Sequence, residues 1–342
     1  MNNISNNKHT VLVTAHVNED WKRHLQEISP DLQIEFRPDA KVEDIPAALW
    51  QEVEILFTLN TFPEPEQAPR LRWVQLYSAG ANQASDGPLA QSQATFTTAS
   101  GVHAVNIGEY VLTTILAWFH RFPLFSEWKQ KAEWPQDKDR GLFMPEELRE
   151  KTLNIVGYGS IGREVARMAK AFGMRIVALE QRADHVDHGF LFPDIGDPEG
   201  TLPDQYYTIE QFHQILGESD VVVVAVPLTP TTRGMFDKQA FEAMKNTAFL
   251  VNIARGDVCD EQALIEALQE KKIAGAALDV FKAEPLPSSS PLFKLTNVIM
   301  TPHISGLTPY YDERVTQIFA ENLRRYVKGD QLYNTVDKER GY

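Results

Sequence analysis

Residues 152–180 pass from a short apolar strand pattern, Thr152–Val156, through Gly157, Tyr158, Gly159, Ser160, Ile161 and Gly162 into a helical pattern, Gly162–Phe172. They leave through a second apolar run, Arg175–Leu179. Glycines at the first, third and sixth positions of a strand-to-helix turn constrain the backbone more than any other feature of the chain. Gly157 permits the tight turn, Gly159 lets peptide nitrogens approach a pyrophosphate, and Gly162 allows the helix to pack closely on the strand. The helix amino end adds free N–H groups and positive potential, with Ser160 and Ile161 donating from the backbone. Eighteen residues beyond Gly162 stands Glu180, an acid placed to accept hydrogen bonds from both ribose hydroxyls of an adenosine. The spacing predicts a dinucleotide cofactor, with NAD favoured over NADP. Arg182, two residues on, would reach toward a 2′-phosphate only against repulsion from Glu180.

The same alternation runs along the chain. Val11–Ala15 and Ile55–Leu59 read as strands, with the amphipathic segment Glu19–Ile28 after the first; Val221–Ala225, Ala248–Asn252 and Gly275–Val280 follow the glycine turn. Ala104–Phe119 and Asp312–Tyr326 repeat apolar positions at helical spacing. Short apolar strands separated by helices define an α/β chain with doubly wound parallel sheets, and 342 residues suffice for about two domains. The interval 181–207 lacks periodicity and reads as a surface insertion, either a lid edge or decoration. Its His185 and His188, beside Asp184 and Asp187, read as a solvated loop rather than metal ligands.

Composition excludes several functions. Acidic residues outnumber basic ones 47 to 33, and the net charge of −14 argues against a nucleic-acid or anionic-membrane partner. The most apolar stretch, Tyr110–Phe119, is too short for a bilayer span and reads as a buried helix. Cys259 is the only cysteine, so no intrachain disulfide and no zinc site built on several cysteines can form. With no signal-peptide pattern at the amino terminus, the expected compartment is the cytoplasm. No metal is expected.

Three polar groups stand at the ends of successive strand patterns. Arg255 follows Val251-Asn252-Ile253-Ala254, Glu284 comes five residues after Asp279 in Ala277–Pro285, and His303 lies in Thr301-Pro302-His303-Ile304-Ser305-Gly306. Open α/β sheets bind ligands at the carboxyl ends of their strands. A guanidinium grips a carboxylate in two hydrogen bonds. An imidazole bonded to a carboxylate has its protonated form favoured and its reactive nitrogen fixed. Reduction of a 2-oxo acid by a nicotinamide needs this set: an anchor for the acid (Arg255), a proton donor for the oxygen (His303) and a partner that tunes the donor (Glu284).

In order, GYGSIG (157–162), PLTPTTRGMFD (227–237), VNIARG (251–256), ALDVFKAEP (277–285) and TPHISG (301–306) resemble the D-isomer-specific 2-hydroxyacid dehydrogenase family over nearly the whole chain from Ser78 onward. The resemblance implies two doubly wound domains with the active site between them. One is a flavodoxin-like substrate domain, residues 1–103 plus 305–342; the other is a Rossmann nucleotide domain, 104–304. It makes Arg255, Glu284 and His303 the catalytic set, gives Asp279 to the nicotinamide carboxamide, and lines the cofactor with Val226 and Pro227; Ile253 and Ala254 are expected on the cofactor too. Leu76–Asn82 resembles the turn whose backbone N–H groups meet the substrate carboxylate, here at Ala79 and Gly80. Asn106, at the crossing into the long helix, is a further candidate for touching substrate or cofactor. A homodimer through the nucleotide domain is implied as well.

The family activity implied is reversible NAD-dependent reduction of a small 2-oxo acid, glyoxylate- or hydroxypyruvate-like or bulkier, to the D-2-hydroxy acid. Glu284 separates the chain from formate-oxidising relatives, which carry Gln there. Ile304–Tyr311 departs from the smaller residues of many relatives, so the substrate side is expected to differ. The rival reading is an NAD(H)-sensing interaction protein on the same fold with little turnover.

Overall fold

The computed structural model describes residues 8–81, 87–181 and 184–337. These fall into two compact units: residues 1–103, 188–190 and 308–342, and residues 104–187 and 191–307. Residues 305–307 thus group with the second unit and 188–190 with the first, on the other side of the expected divisions.

The first unit is built on β1 (His9–Val13), α1 (Glu19–Gln26), β2 (Leu32–Phe36), α2 (Ala47–Trp50), β3 (Val53–Thr58), β4 (Trp73–Leu76) and β5 (Thr95–Thr97). Its five strands are all parallel in the order β2-β1-β3-β4-β5. All six residues of β3 are buried, as a strand covered on both faces requires. Asn18 caps α1 by accepting the Trp21 N–H at 2.8 Å, and Glu19 and Asp20 occupy its positive first turn.

The second unit contains α3 (Ala104–Phe119), α4 (Phe122–Gln130), β6 (Thr152–Val156), α5 (Ser160–Ala171), β7 (Arg175–Leu179), β8 (Gln205–Tyr207), α6 (Phe212–Glu218), β9 (Val221–Val224), α7 (Lys238–Ala243), β10 (Phe249–Asn252), α8 (Glu261–Gln269), β11 (Gly275–Leu278) and β12 (Val298–Met300). Its seven strands, again all parallel, run β12-β11-β10-β9-β6-β7-β8. Strand order reverses between β6 and β9, the point at which open sheets bind ligands beyond their carboxyl ends. Gly275 is required where α3 crosses the sheet: a Cβ there would lie 2.4 Å from the Trp118 ring, which stacks on Phe249 at 4.8 Å.

The chain returns to the first unit in α9 (Tyr311–Lys328), which buries Val315, Ile318, Phe319 and Leu323. Phe319 stacks on Phe57 of β3 at 4.4 Å. The helix ends at Gly329, whose φ of 76° lets its N–H meet the Arg325 and Tyr326 carbonyls.

Most described residues of the interval 181–207 are exposed or half-buried, as a surface insertion would be, and the segment is nonetheless tied into the sheet. It ends in β8, which pairs with β7 and extends the sheet, and Asp197 and Tyr207 are buried. A three-residue edge strand shows no periodicity, and a polar segment folded around one buried charge has no apolar pattern to reveal it. Arg182 and Asn82 lie outside the described residues.

Candidate active site

At the switch point each glycine of the turn has a distinct steric duty. Gly157 has φ +102°, and a Cβ on it would lie 2.7 Å from the Ala225 carbonyl at the end of β9. Any other residue would therefore push the two strand ends apart. At Gly162 a Cβ would meet the Gly157 carbonyl at 2.5 Å and Ile155 at 2.8 Å. Gly159, by contrast, caps α5 and faces open space, with nothing within 4 Å of a built Cβ. The first N–H groups of α5 have no acceptor within the helix and open onto that space, a cradle that fits a pyrophosphate. Val226 and Pro227 follow β9 after Ala225. The Pro227 carbonyl is held by the Thr232 hydroxyl at 2.6 Å.

Asn252, buried at the end of β10, shapes the turn that presents Arg255. Its side-chain oxygen accepts the Ala254 N–H at 3.1 Å and its amide donates to the Arg255 carbonyl at 3.2 Å. Ile253 and Ala254 are buried and Arg255 is exposed. A Cβ on Gly256 would sit 2.0 Å from the Phe281 carbonyl carbon, so only glycine lets this turn lie against the segment leading to Glu284. There the Phe281 N–H donates to Glu284 Oε1 at 2.9 Å.

His303 Nδ1 lies 2.7 Å from Glu284 Oε2, with the two side chains 46% and 37% exposed. Partial burial works to raise the Glu284 pKa. Hydrogen bonds from His303 and the Phe281 N–H, with the charges of His303 and Arg255, outweigh it and hold the carboxyl below its usual range. Arg255, Glu284 and His303 are thus one electrostatic cluster.

The backbone of His303 is left-handed, φ 53°, uncommon for a residue with a side chain. Its N–H reaches the Asp279 carbonyl at 2.8 Å. The fully buried Asp279 carboxylate accepts from the Thr301 hydroxyl at 2.6 Å and from the Ile304 and Ser305 N–H groups at 2.9 Å each. Two side chains of α3 complete the clamp: Tyr110 OH lies 2.7 Å from the Thr301 hydroxyl and Asn106 Nδ2 donates to the Ser305 carbonyl at 2.8 Å. Burial pushes the Tyr110 phenol up to about 12. Asp279, which the resemblance gives to the cofactor, therefore turns both oxygens to the His303 loop, and Asn106 holds the same loop. Tyr110, Thr301 and Asn252 were not foreseen; each sits in an ordinary apolar or strand context, and no spacing rule marks it.

In the first unit, Ala79 and Gly80 lie in the bend after β4. The Ser78 hydroxyl donates to the Gly80 carbonyl at 2.6 Å, the Tyr311 hydroxyl to the Tyr77 carbonyl at 3.0 Å, and Tyr77 OH bonds to Asp312. The amino end of α9 thereby fixes where the bend begins.

Glu180 follows β7, in the expected place, but its side chain is almost buried and paired with Arg163 and His185. Among the described residues no group of three or more His, Cys, Asp or Glu is arranged to hold a metal ion, and no helix is long and apolar enough to cross a membrane.

A parallel nucleotide-binding sheet with this arginine, glutamate and histidine at its carboxyl edge defines an NAD(P)-type oxidoreductase. The family model described as D-isomer specific 2-hydroxyacid dehydrogenase, NAD binding domain, matches residues 112–305. Glyoxylate reductase of Korarchaeum cryptofilum (strain OPF8) is 34% identical over 274 residues, 80% of this chain and 78% of that protein. The crystal structure of a D-isomer specific 2-hydroxyacid dehydrogenase family protein from Aeromonas salmonicida is similar at 29% identity and TM-score 0.72, covering 97% of this chain and 99% of that one. A D-isomer specific 2-hydroxyacid dehydrogenase from Xanthobacter autotrophicus Py2, solved with NADPH and MES, matches at 26% identity and TM-score 0.76, covering 98% and 100%. The chain belongs to the D-isomer specific 2-hydroxyacid dehydrogenase family.

Proposed function

We propose that this protein reduces a small 2-oxo acid reversibly to the D-2-hydroxy acid, with Arg255, Glu284 and His303 as the catalytic residues. The observation that carries the reading is the 2.7 Å His303–Glu284 pair, close enough to Arg255 for its charge to act on Glu284. A bound nicotinamide dinucleotide supplies or accepts the hydride. Gly157, Gly159, Ser160, Ile161 and Gly162 cradle its pyrophosphate, and Val226, Pro227, Ile253 and Ala254 line it. Arg255 holds the substrate carboxylate, with the amides of Ala79 and Gly80 as further donors. His303 gives its proton to the carbonyl oxygen in reduction and takes it back in oxidation. Glu284, at 2.7 Å from the other ring nitrogen, holds the ring in place. Asp279 acts through the loop it clamps.

Glyoxylate- and hydroxypyruvate-like acids head the substrate list, in line with the glyoxylate reductase name of the relative. The position of Glu180, paired with Arg163 and His185 at the end of β7, is the feature that favours NADH. Phe122, Leu142, Met144 and the 84% exposed Trp134 form apolar surface after α3, and we assign it to a homodimer. Sedimentation at micromolar concentration gives a dimer on this reading, and a monomer rejects it.

The deciding experiment follows the absorbance of NADH and NADPH with a panel from glyoxylate and hydroxypyruvate to branched and aromatic 2-oxo acids. Turnover of roughly 1 to 10³ per second on any member is expected. Tight cofactor binding with silence across the panel would replace the enzyme by a nucleotide sensor.

A further inference from the structure

Four residues apart on α3, Asn106 and Tyr110 share one face of the helix and grip the His303 loop at two points. Tyr110 meets Thr301, two residues before the histidine, and Asn106 meets Ser305, two residues after it. The helix that carries them is tightly seated. A Cβ on Gly108, on the opposite face, would lie 3.2 Å from Glu164 and Met168 of α5, and Trp118 near the far end stacks on Phe249 of β10. α3 is therefore a fixed frame for the loop.

Every peptide N–H from His303 to Ser305 reaches Asp279. That of His303 goes to its carbonyl at 2.8 Å, and those of Ile304 and Ser305 go to its carboxylate at 2.9 Å. The left-handed backbone of His303, φ 53°, thus depends on one carboxylate at a neighbouring strand end. Thr301 fixes how that carboxylate is turned, because its hydroxyl donates to Oδ1 at 2.6 Å. A hydroxyl carries a single proton. With the Thr301 proton committed to Asp279, the 2.7 Å contact with Tyr110 has one polarity: the phenol donates and Thr301 accepts. Burial, and after it the charge of Asp279, push the phenol up to about 12 against the pull of the Thr301 bond, so it keeps the proton it donates. Tyr110, Thr301 and Asp279 form a directed chain that ends on the N–H groups carrying His303, and bonds in such a chain strengthen one another.

We propose that Tyr110 is a positioning residue for His303: its hydroxyl, donated to Thr301, holds Thr301 on Asp279 and so sets the place from which the imidazole acts. The inference rests on the acid–base role given to His303 above. It assigns a part in the reaction to a side chain that touches neither His303 nor its glutamate, and it makes α3, through one phenol, a determinant of turnover.

The test uses the full chain and its Tyr110→Phe, Thr301→Val and doubly substituted variants, with the most active 2-oxo acid of the panel above. Tyr110→Phe keeps the ring in its packing and removes only the donor. It should lower kcat about tenfold, while KM and the cofactor dissociation constant stay within about twofold. Thr301→Val should lower kcat at least as far, and adding Tyr110→Phe to it should cost less than about twofold more, because the phenol then has nothing to act through. Independent of activity, the ring signals of His303 in histidine-labelled protein, identified by their loss in His303→Ala, should shift in the same direction in both single variants. The proposal is overturned by a Tyr110→Phe variant with unchanged kcat per folded molecule, by losses that multiply in the double variant, by a loss carried in KM or cofactor affinity, or by ring signals that do not move. If thermal unfolding shows that Thr301→Val does not fold, Tyr110→Phe decides alone. A wild type silent across the panel removes the acid–base reading itself, and the ring signals then decide whether Tyr110 places His303; an active wild type indifferent to Tyr110 removes only this inference.

Discussion

Two left-handed histidines, each beside a glutamate, stand on carboxyl-end loops of the seven-stranded sheet: His303 with Glu284, and His185 with Glu180. They are opposites in where their charge is balanced. Glu284 is over a third exposed, and its other neighbours are a backbone N–H and the charge of the exposed Arg255, so the pair faces outward. Glu180 is almost buried and lies against Arg163, which is itself out of water, so that pair is part of how the insertion is held. On the proposed reading, a glutamate at a strand end serves chemistry in one place and cohesion in the other. Solvent access to the carboxylate and the location of the nearest guanidinium decide between them.

The comparison breaks first at His303. His303→Ala is expected to lower kcat for 2-oxo acid reduction by roughly 10²- to 10⁴-fold while cofactor binding persists, read by steady-state rates beside a binding titration. A variant keeping most of its rate would make the outward pair no more chemical than the inward one.

At the other pair the largest effect falls on stability. Arg163→Met leaves Glu180 and Asp187 without their buried cation and should destabilise by about 3–5 kcal/mol in denaturant unfolding. At saturating cofactor the folded fraction should still turn over. Undiminished stability with lost chemistry would reverse the assignment of the two regions.

Asp279→Asn sharpens the contrast from the side of the loop. Two backbone N–H groups and a hydroxyl lose part of their acceptor, at a cost of about 1–3 kcal/mol, and kcat should fall more than KM rises as His303 leaves its left-handed position. Equal loss of NADH affinity and rate would return Asp279 to the cofactor.

The smallest effect is a displacement in pH. Reduction consumes the imidazolium proton and declines as pH rises; oxidation needs the neutral ring and declines as pH falls. The Glu284 pKa is lowered, so its stabilising contribution is present above the ordinary carboxylate range and is lost only as pH falls through the depressed value. Glu284→Gln removes that carboxylate, so the loss of stability on acidification through this range should disappear from the variant's unfolding profile. Profiles that superpose on wild type would uncouple Glu284 from His303.

Much of this was legible in the chain. The turn Gly157–Gly162 was readable because each glycine answers a local steric demand, and strand ends such as Val251–Arg255 and Ala277–Glu284 because apolar runs in a parallel sheet are short and sharply bounded. Those signals also located Arg255, Glu284 and His303. The clamp on the His303 loop brings in Tyr110 and Asn106 from nearly two hundred positions away, beside Asp279, through hydrogen bonds that no local pattern marks. The insertion shows the limit most plainly. Glu180 stood where a ribose acceptor belongs, and nothing in the sequence told that Arg163, one residue past the glycine turn, would be buried and draw 184–204 down upon it. Sequence determines which groups stand at a strand end because that depends on local pattern. Whether a charge there faces solvent or a buried partner is decided by the tertiary structure, because desolvation and pairing depend on what the rest of the chain packs against it.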